Sequence, residues 1–180
     1  MKDTSKINIS NLQDEQSVTP EGKRVAPLPE GMTFKKLTTH VDDRGVVCEL
    51  YDPRWGWHKD PLVFTYFFTL RPGHTKGWGL HKLHEDRYAI VYGEVEFVLY
   101  DAREESGTFG LVAKVVLSEY DRCLMNIPAG IWHANTNIGT KDAVIVNFPT
   151  QPYDHENPDK YRLPLDTDKI PYKFVSAKGW

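Results

Sequence analysis

Cysteine is scarce in this chain. Only Cys48 and Cys123 occur in 180 residues, and neither sits in a close-spaced pair. That excludes a disulfide framework and a cysteine-built zinc knuckle, and both thiols read as small core side chains in a reducing compartment. Long apolar runs are missing as well. Nowhere do about eighteen apolar residues follow one another, and the first residues carry no apolar signal core, so no membrane span or secretion signal is expected. The expected location is therefore cytoplasmic. Positive charge is not in excess, since the formal net charge is −3. A slightly acidic protein is not steered toward nucleic acid or an anionic membrane surface, so neither is expected as a partner. Helical periodicity beyond about two turns is also absent.

What is present is a β pattern. Apolar residues make up 40% of the chain, ordinary for a globular protein, and 180 residues suffice for one domain with a real core. Residues 1–24 are polar and charged and read as a flexible arm; 25–180 read as the single folded domain. Short runs rich in Val, Ile, Phe and Tyr lie at 46–50, 62–70, 88–92, 94–100, 111–117, 123–127 and 143–148. Gly- and Pro-containing turns separate them, which argues for an all-β sandwich or barrel. Within 94–101, Val95, Phe97 and Leu99 alternate onto one face, while Glu94 and Glu96 take the other. Five prolines between Pro149 and Pro171 exclude a continuous helix or a central strand there. That segment is expected to wrap the barrel or cover its mouth.

Two stretches hold the residues fit for chemistry: Gly79–Asp101 and Pro128–Asn137. Pro128-x-Gly-x-x-His133-x-x-x-Asn137 resembles the second motif of the cupin barrel. The first motif is partial. Counting back from Gly93, Asp86 stands at the glutamate position, His81 at the second histidine and Gly79 at the first. A metal site of His81, Asp86 and His133 is possible on ligand type. His84 lies three residues from His81, so in an extended strand it faces the other way, at the rim or surface.

A wider resemblance, from about Thr33 to Phe174, is to the dTDP-4-dehydrorhamnose 3,5-epimerase family, a cupin branch that works without metal. Asp43-Arg-Gly-Val-Val-Cys-Glu49, Gly79-Leu-His81, Gly93-Glu-Val-x-x-Val-x-x-Asp-Ala-Arg103, Ser106-Gly-Thr-Phe-Gly110 and Ile127-Pro-Ala-Gly-x-x-His133 carry it, in order. The resemblance implies a jelly-roll barrel, no cofactor, and a homodimer whose N-terminal strands cross to the partner. It implies a nucleotide-sugar substrate with a 4-keto-6-deoxy sugar. His81 would be the base that removes a proton next to the keto group, held by an aspartate in Leu165-Asp166-Thr-Asp168, with Asp166 favoured. Arg44 and Glu49 match nucleotide-holding positions.

Other family positions differ. The arginine before Gly-Leu-His is Trp78, the lysine on the next strand is Asp86, and the acid tyrosine falls near Val146-Asn147. Two cations thus lack counterparts, and Tyr66, Tyr88, Tyr92 or Tyr153 are left as possible acids. Trp78 and Trp132 suggest an aromatic pocket around His81 and His133, and Trp78, His133 and Asn147 join the candidate substrate contacts. Two alternatives stay open: a metal-dependent cupin enzyme, and a carbohydrate-binding cupin that does no chemistry. Trp55 and Trp57 could be a lid or an interface.

Overall fold

In a computed structural model, residues 12–175 and 178–179 are described. Thirteen strands follow one another: β1 (Thr33–Lys36), β2 (Thr39–Asp42), β3 (Gly45–Cys48), β4 (Tyr66–Leu70), β5 (His74–Leu80), β6 (Asp86–Tyr92) and β7 (Glu94–Asp101). The chain continues through β8 (Val112–Ser118), β9 (Cys123–Ile127), β10 (Ile131–Asn137), β11 (Ala143–Asn147), β12 (Tyr161–Arg162) and β13 (Lys178–Gly179). The only helical element described is a single 3-10 turn, Pro53–Trp55. No described helix is long and apolar enough to cross a membrane.

Of the two larger sheets, one runs β1-β9-β6-β11-β4 and the other β12-β5-β10-β7-β8, with β13 joined in parallel to β5, while β2 and β3 pair in a separate hairpin. The fold is all-β, as the turn spacing led one to expect, and it is the cupin barrel that the motif resemblance implied. Val95, Phe97 and Leu99 are fully buried between the sheets against Ile90, Met125, Ile127 and Ile145. The period of two on β7 thus faces a core, as burial of alternate residues requires.

Each sheet is also covered on its outer face. Behind the first, the loop after β3 lays Tyr51, Trp55 and Trp57 over Ala89, Leu124 and Phe148. The two tryptophans are therefore packing residues. Behind the second, the Pro-rich segment lays Leu163, Leu165, Ile170, Tyr172 and Phe174 over Trp78, Val98 and Ala134. Part of the expected arm, residues 1–11, lies outside the described residues. Its remainder is almost wholly exposed, with one bridge between Val18 and Arg24.

An irregularity in β5 sets what the cavity sees. His133 pairs with Gly79 but Asn135 with Lys76, so Gly77 and Trp78 of β5 together oppose Ala134 of β10. Such a bulge resets the alternation of faces. A Cβ on Gly77 would meet Leu165 and Ala134 on the outside, whereas one on Gly79 would meet His133 Nε2 inside. Trp78 follows Gly77 outward. Its fully buried ring lies 5.6 Å from that of Phe174 and 6.2 Å from that of Tyr172. Of the aromatic pocket expected from Trp78 and Trp132, only Trp78 borders the cavity, and both side chains pack with the outer cluster, as alternation with Gly79 and His133 requires.

Candidate active site

A cavity of about 310 Å3 opens between the sheets, bordered by His81, His133, Tyr66, Phe68, Tyr88 and Asn135. Its aromatic wall comes from β4 and β6. Three cations border it as well, Lys76 from β5 and Lys160 and Arg162 at the start of the C-terminal segment. Arg162 pairs with Gly79 across β12 and β5, which sets this edge strand along the cavity mouth. Burial and the neighbouring Arg162 both lower the pKa of Lys160 and of Lys76. This is the response of cations gathered around one partly desolvated space.

Asp86 is the hub. It is 1% exposed, and a carboxylate that deep must be compensated. Tyr88 Oη donates to Oδ2 at 2.7 Å and Asn147 Nδ2 to Oδ1 at 2.6 Å. His81 Nε2 stands 3.2 Å and His133 Nε2 3.5 Å from Oδ2. Burial alone would raise the Asp86 pKa, but the hydrogen bond and charge of His81, with the hydrogen bond from Asn147, outweigh it and hold the carboxyl far below its usual range.

His81 also meets an acceptor on its other side, with Nδ1 2.5 Å from the main-chain oxygen of Asp159. Oxygens of carboxylates and carbonyls accept only, so this geometry suits a proton on each nitrogen. Burial opposes the charge, but Asp86 prevails and the His81 pKa is raised. His133 is the opposite case. Burial pushes it down to about 4, and Nδ1 faces Ile131 O at 3.3 Å, so it is neutral with its proton there.

Asn147, expected as a substrate contact, is fully buried and serves the network instead. Its amide donates to Asp86 and, at 3.0 Å, to Tyr66 Oη, while its oxygen accepts from Arg87 N. Of the two cavity tyrosines, Tyr88 gives its proton to Asp86, while Tyr66 accepts from Asn147 and keeps its own proton for the cavity. Burial, reinforced by Asp86, raises Tyr66 to about 12.

His84 departs from its expected place. β5 ends at Leu80, so the alternation argument does not reach it. Asp159 accepts from the main-chain nitrogens of Lys82, Leu83 and His84, curling 81–84 into a turn. His84 thereby stacks on His81, ring centroids 4.1 Å apart, with Nδ1 2.9 Å from Asp159 Oδ2. Asp166 is exposed, and Asp168 is exposed and paired with Lys173; neither reaches His81. The group that meets His81 Nδ1 comes from Asp159, seven residues earlier than the favoured position. Arg44 and Glu49 are both exposed and border no described cavity; Arg44 pairs with Asp42 at the tip of the β2–β3 hairpin.

Residues 40–161 match the family model described as polysaccharide biosynthesis C-terminal domain. Over 133 residues the chain is 31% identical to a Haloferax volcanii protein named probable low-salt glycan biosynthesis epimerase Agl13, covering 73% of this chain and 85% of that one. It is 31% identical over 147 residues to the spore coat polysaccharide biosynthesis protein SpsL of Bacillus subtilis, covering 81% and 95%. Among solved structures, a dTDP sugar isomerase from Desulfovibrio desulfuricans superposes with a TM-score of 0.77 at 27% identity, over 85% of this chain and 98% of that one.

Proposed function

Since the chain belongs to the polysaccharide biosynthesis C-terminal domain family, in the company of sugar epimerases, we propose that it is an epimerase of a nucleotide-linked 4-keto-6-deoxy sugar. One observation carries the reading. A single cavity is faced by His81, with its partner Asp86 buried behind it, by a tyrosine with an uncommitted proton and by three cations. Protons on the carbons flanking a ketone are acidic, and their removal needs a base, a stabilised enolate oxygen and an acid on the far face.

His81 is the proton-transfer residue and Asp86 its partner, in place of Asp166. Tyr66 supplies the returning proton. Lys76, Lys160 and Arg162 take over the work of the cations without counterparts at 78 and 86, and suit an enolate and a diphosphate. His133 stays neutral and lines the wall. The β2–β3 hairpin exposes Val41, Val46 and Val47 at 74, 53 and 67%, and Arg44 at its tip. A homodimer in which this hairpin meets a second copy follows from the same reading.

Incubation with a dTDP-4-keto-6-deoxyhexose in heavy water tests the chemistry. Deuterium should enter at C3, C5 or both, and His81→Ala should abolish incorporation at one of these carbons at least. No incorporation by the wild-type protein on dTDP- and UDP-linked substrates would sink the epimerase reading.

A second reading rests on a specific geometry. Nε2 of His81, Nε2 of His133 and a carboxylate oxygen of Asp86 all lie within 4.8 Å of one another. Each histidine turns its Nδ1 to a main-chain carbonyl, of Asp159 and of Ile131, which is how metal-binding imidazoles are usually oriented. The donor set suits a divalent transition metal such as zinc, which would polarise the substrate carbonyl. Elemental analysis of the purified protein, and activity before and after chelation, separate the two readings.

A further inference from the structure

The turn after β5 holds a group that the reading above leaves unused. His84 lies on the wall of a smaller pocket of about 150 Å3, which shares Tyr66, His81 and Lys160 with the main cavity. Its Nδ1 stands 2.9 Å from Asp159 Oδ2, and a carboxylate can only accept, so the proton of the neutral ring sits on Nδ1. Nε2 then carries the lone pair. Asp86 Oδ1 is 3.8 Å from it, beyond hydrogen-bond reach. His81, by contrast, meets acceptors at both nitrogens. Both stacked rings have a carboxylate partner, but only His84 keeps a nitrogen with no acceptor within hydrogen-bond reach.

We infer that His84 and Asp159 form a second proton-handling pair, with His84 Nε2 the reacting atom and Asp159 its positioning residue. The inference rests on the epimerase reading for its substrate. Nε2 takes the proton from a carbon beside the ketone. The C–H electron pair becomes the carbon–carbon double bond of the enolate, and the carbonyl π pair moves onto oxygen. The new imidazolium is held by Asp159. Tyr66, on the wall common to both pockets, returns a proton to carbon as the enolate collapses. The tyrosinate is then neutralised by the imidazolium proton through solvent, which restores both groups. Two histidines at one site let the enzyme serve both carbons that flank a keto group.

Asp159 is suited to the role because it does two things at once. Its carboxylate accepts three main-chain N–H groups of the turn besides the His84 ring, and its carbonyl meets His81. It therefore fixes both rings relative to each other.

Deuterium wash-in from heavy water into a dTDP-4-keto-6-deoxyhexose, read separately at C3 and C5, is the first arm. His84→Gln should slow exchange at one or both carbons by about a hundredfold, the low end of general-base contributions, with KM little changed. Exchange at wild-type rates at both carbons overturns the inference while leaving His81 in place. The second arm does not need activity. In a long-range proton–nitrogen spectrum of protein with 15N-labelled histidine, His84 at pH 8 should be the Nδ1–H tautomer. Asp159→Asn should disturb that signature, and kcat should fall with it. A wild-type His84 protonated on Nε2 overturns the pair whatever the substrate proves to be. Absence of any wild-type exchange counts against the epimerase reading alone, and the spectrum still decides the pair.

Discussion

Arg87 offers a test of how the active-site end of β6 is held. Its side chain is fully buried, and no carboxylate contacts it. All five N–H groups are used instead. Nε donates to Phe148 O at 2.6 Å, one terminal nitrogen to Tyr51 Oη and Asp60 O at 2.8 Å each, and the other to Pro61 O at 2.9 Å and Pro149 O at 3.3 Å. One residue thus ties the 51–61 loop and the end of β11 to the strand that carries Asp86. Hydrogen bonds to a charged group contribute about 1.5–3 kcal/mol each, but desolvating the guanidinium offsets much of their sum. Removing the side chain strands four carbonyls, so Arg87→Ala should cost about 3–5 kcal/mol. For a chain of this size that is a fall in Tm of roughly 6–20 °C. Arg87→Lys keeps the charge but can meet at most three of five acceptors, and should cost about 2 kcal/mol. Urea denaturation with a common m-value reads both. A lysine variant as stable as the wild type would refute the account, because it would show that charge, and not the planar fork, is what the five oxygens need.

Other perturbations follow from the same geometry. Gly77→Ala places a Cβ 2.3 Å from Leu165 Cδ2 and should lift the C-terminal segment, lowering Tm and raising KM together; adding Leu165→Ala should recover part of both. Buried Asp101 is shielded from water, yet the hydrogen bonds of Arg103, Thr108 and Ser106 outweigh that burial and hold its carboxyl well below the usual range. The sign follows. Its stabilisation is complete above the unfolded value of about 3.9 and is lost as pH falls toward its lower folded value, so melts from pH 7 to pH 3 should show a smaller acid loss for Asp101→Asn than for the wild type. Lys160→Gln should raise KM for a nucleotide sugar by about tenfold or more with kcat less affected, the size of one lost charged contact; an unchanged KM would remove Lys160 from the binding role.

The strands that could be read from sequence are those that feed the core. β7 shows its period of two because its inward residues are Val95, Phe97 and Leu99, and β9 and β11 are apolar runs for the same reason. β5 and β10 show no such run, and they carry the polar wall of the cavity, whereas β4 and β6, which carry its aromatic wall, do read as apolar runs. The inward residues of β5 and β10 are Lys76, Gly79, His133 and Asn135, chosen for a solvent-filled space. A polar functional wall erases the hydrophobic pattern by which strands are recognised. The bulge compounds this. Counting alternate residues from His81 places Gly79 inward and Trp78 outward, as found, but fails at Gly77 and Lys76, where two residues of β5 oppose one of β10.

The same physics explains why the cavity's cations do not stand at positions 78 and 86. Motif spacing can report only on residues carried by the motif's own strands, and there positions 78 and 86 hold no cation. Besides Lys76 on β5, the positive charge comes some eighty residues later from Lys160 and Arg162, in and just before the two-residue edge strand β12, spaced two apart as a strand's same-face residues must be. That alternation was the available signal, and the surrounding prolines concealed it, since they argue against strand everywhere except at an edge. Once β12 lies against Gly79 and Leu80, a single short segment supplies the turn-holding carboxylate, the carbonyl on His81 and two of the three cavity cations. The outer packing of Leu163 and Leu165 anchors that segment. The apolar cover of one sheet face and the chemistry of its opposite face are therefore mechanically one element, and a change beneath Leu165 should be felt at His81 before it is felt in the core.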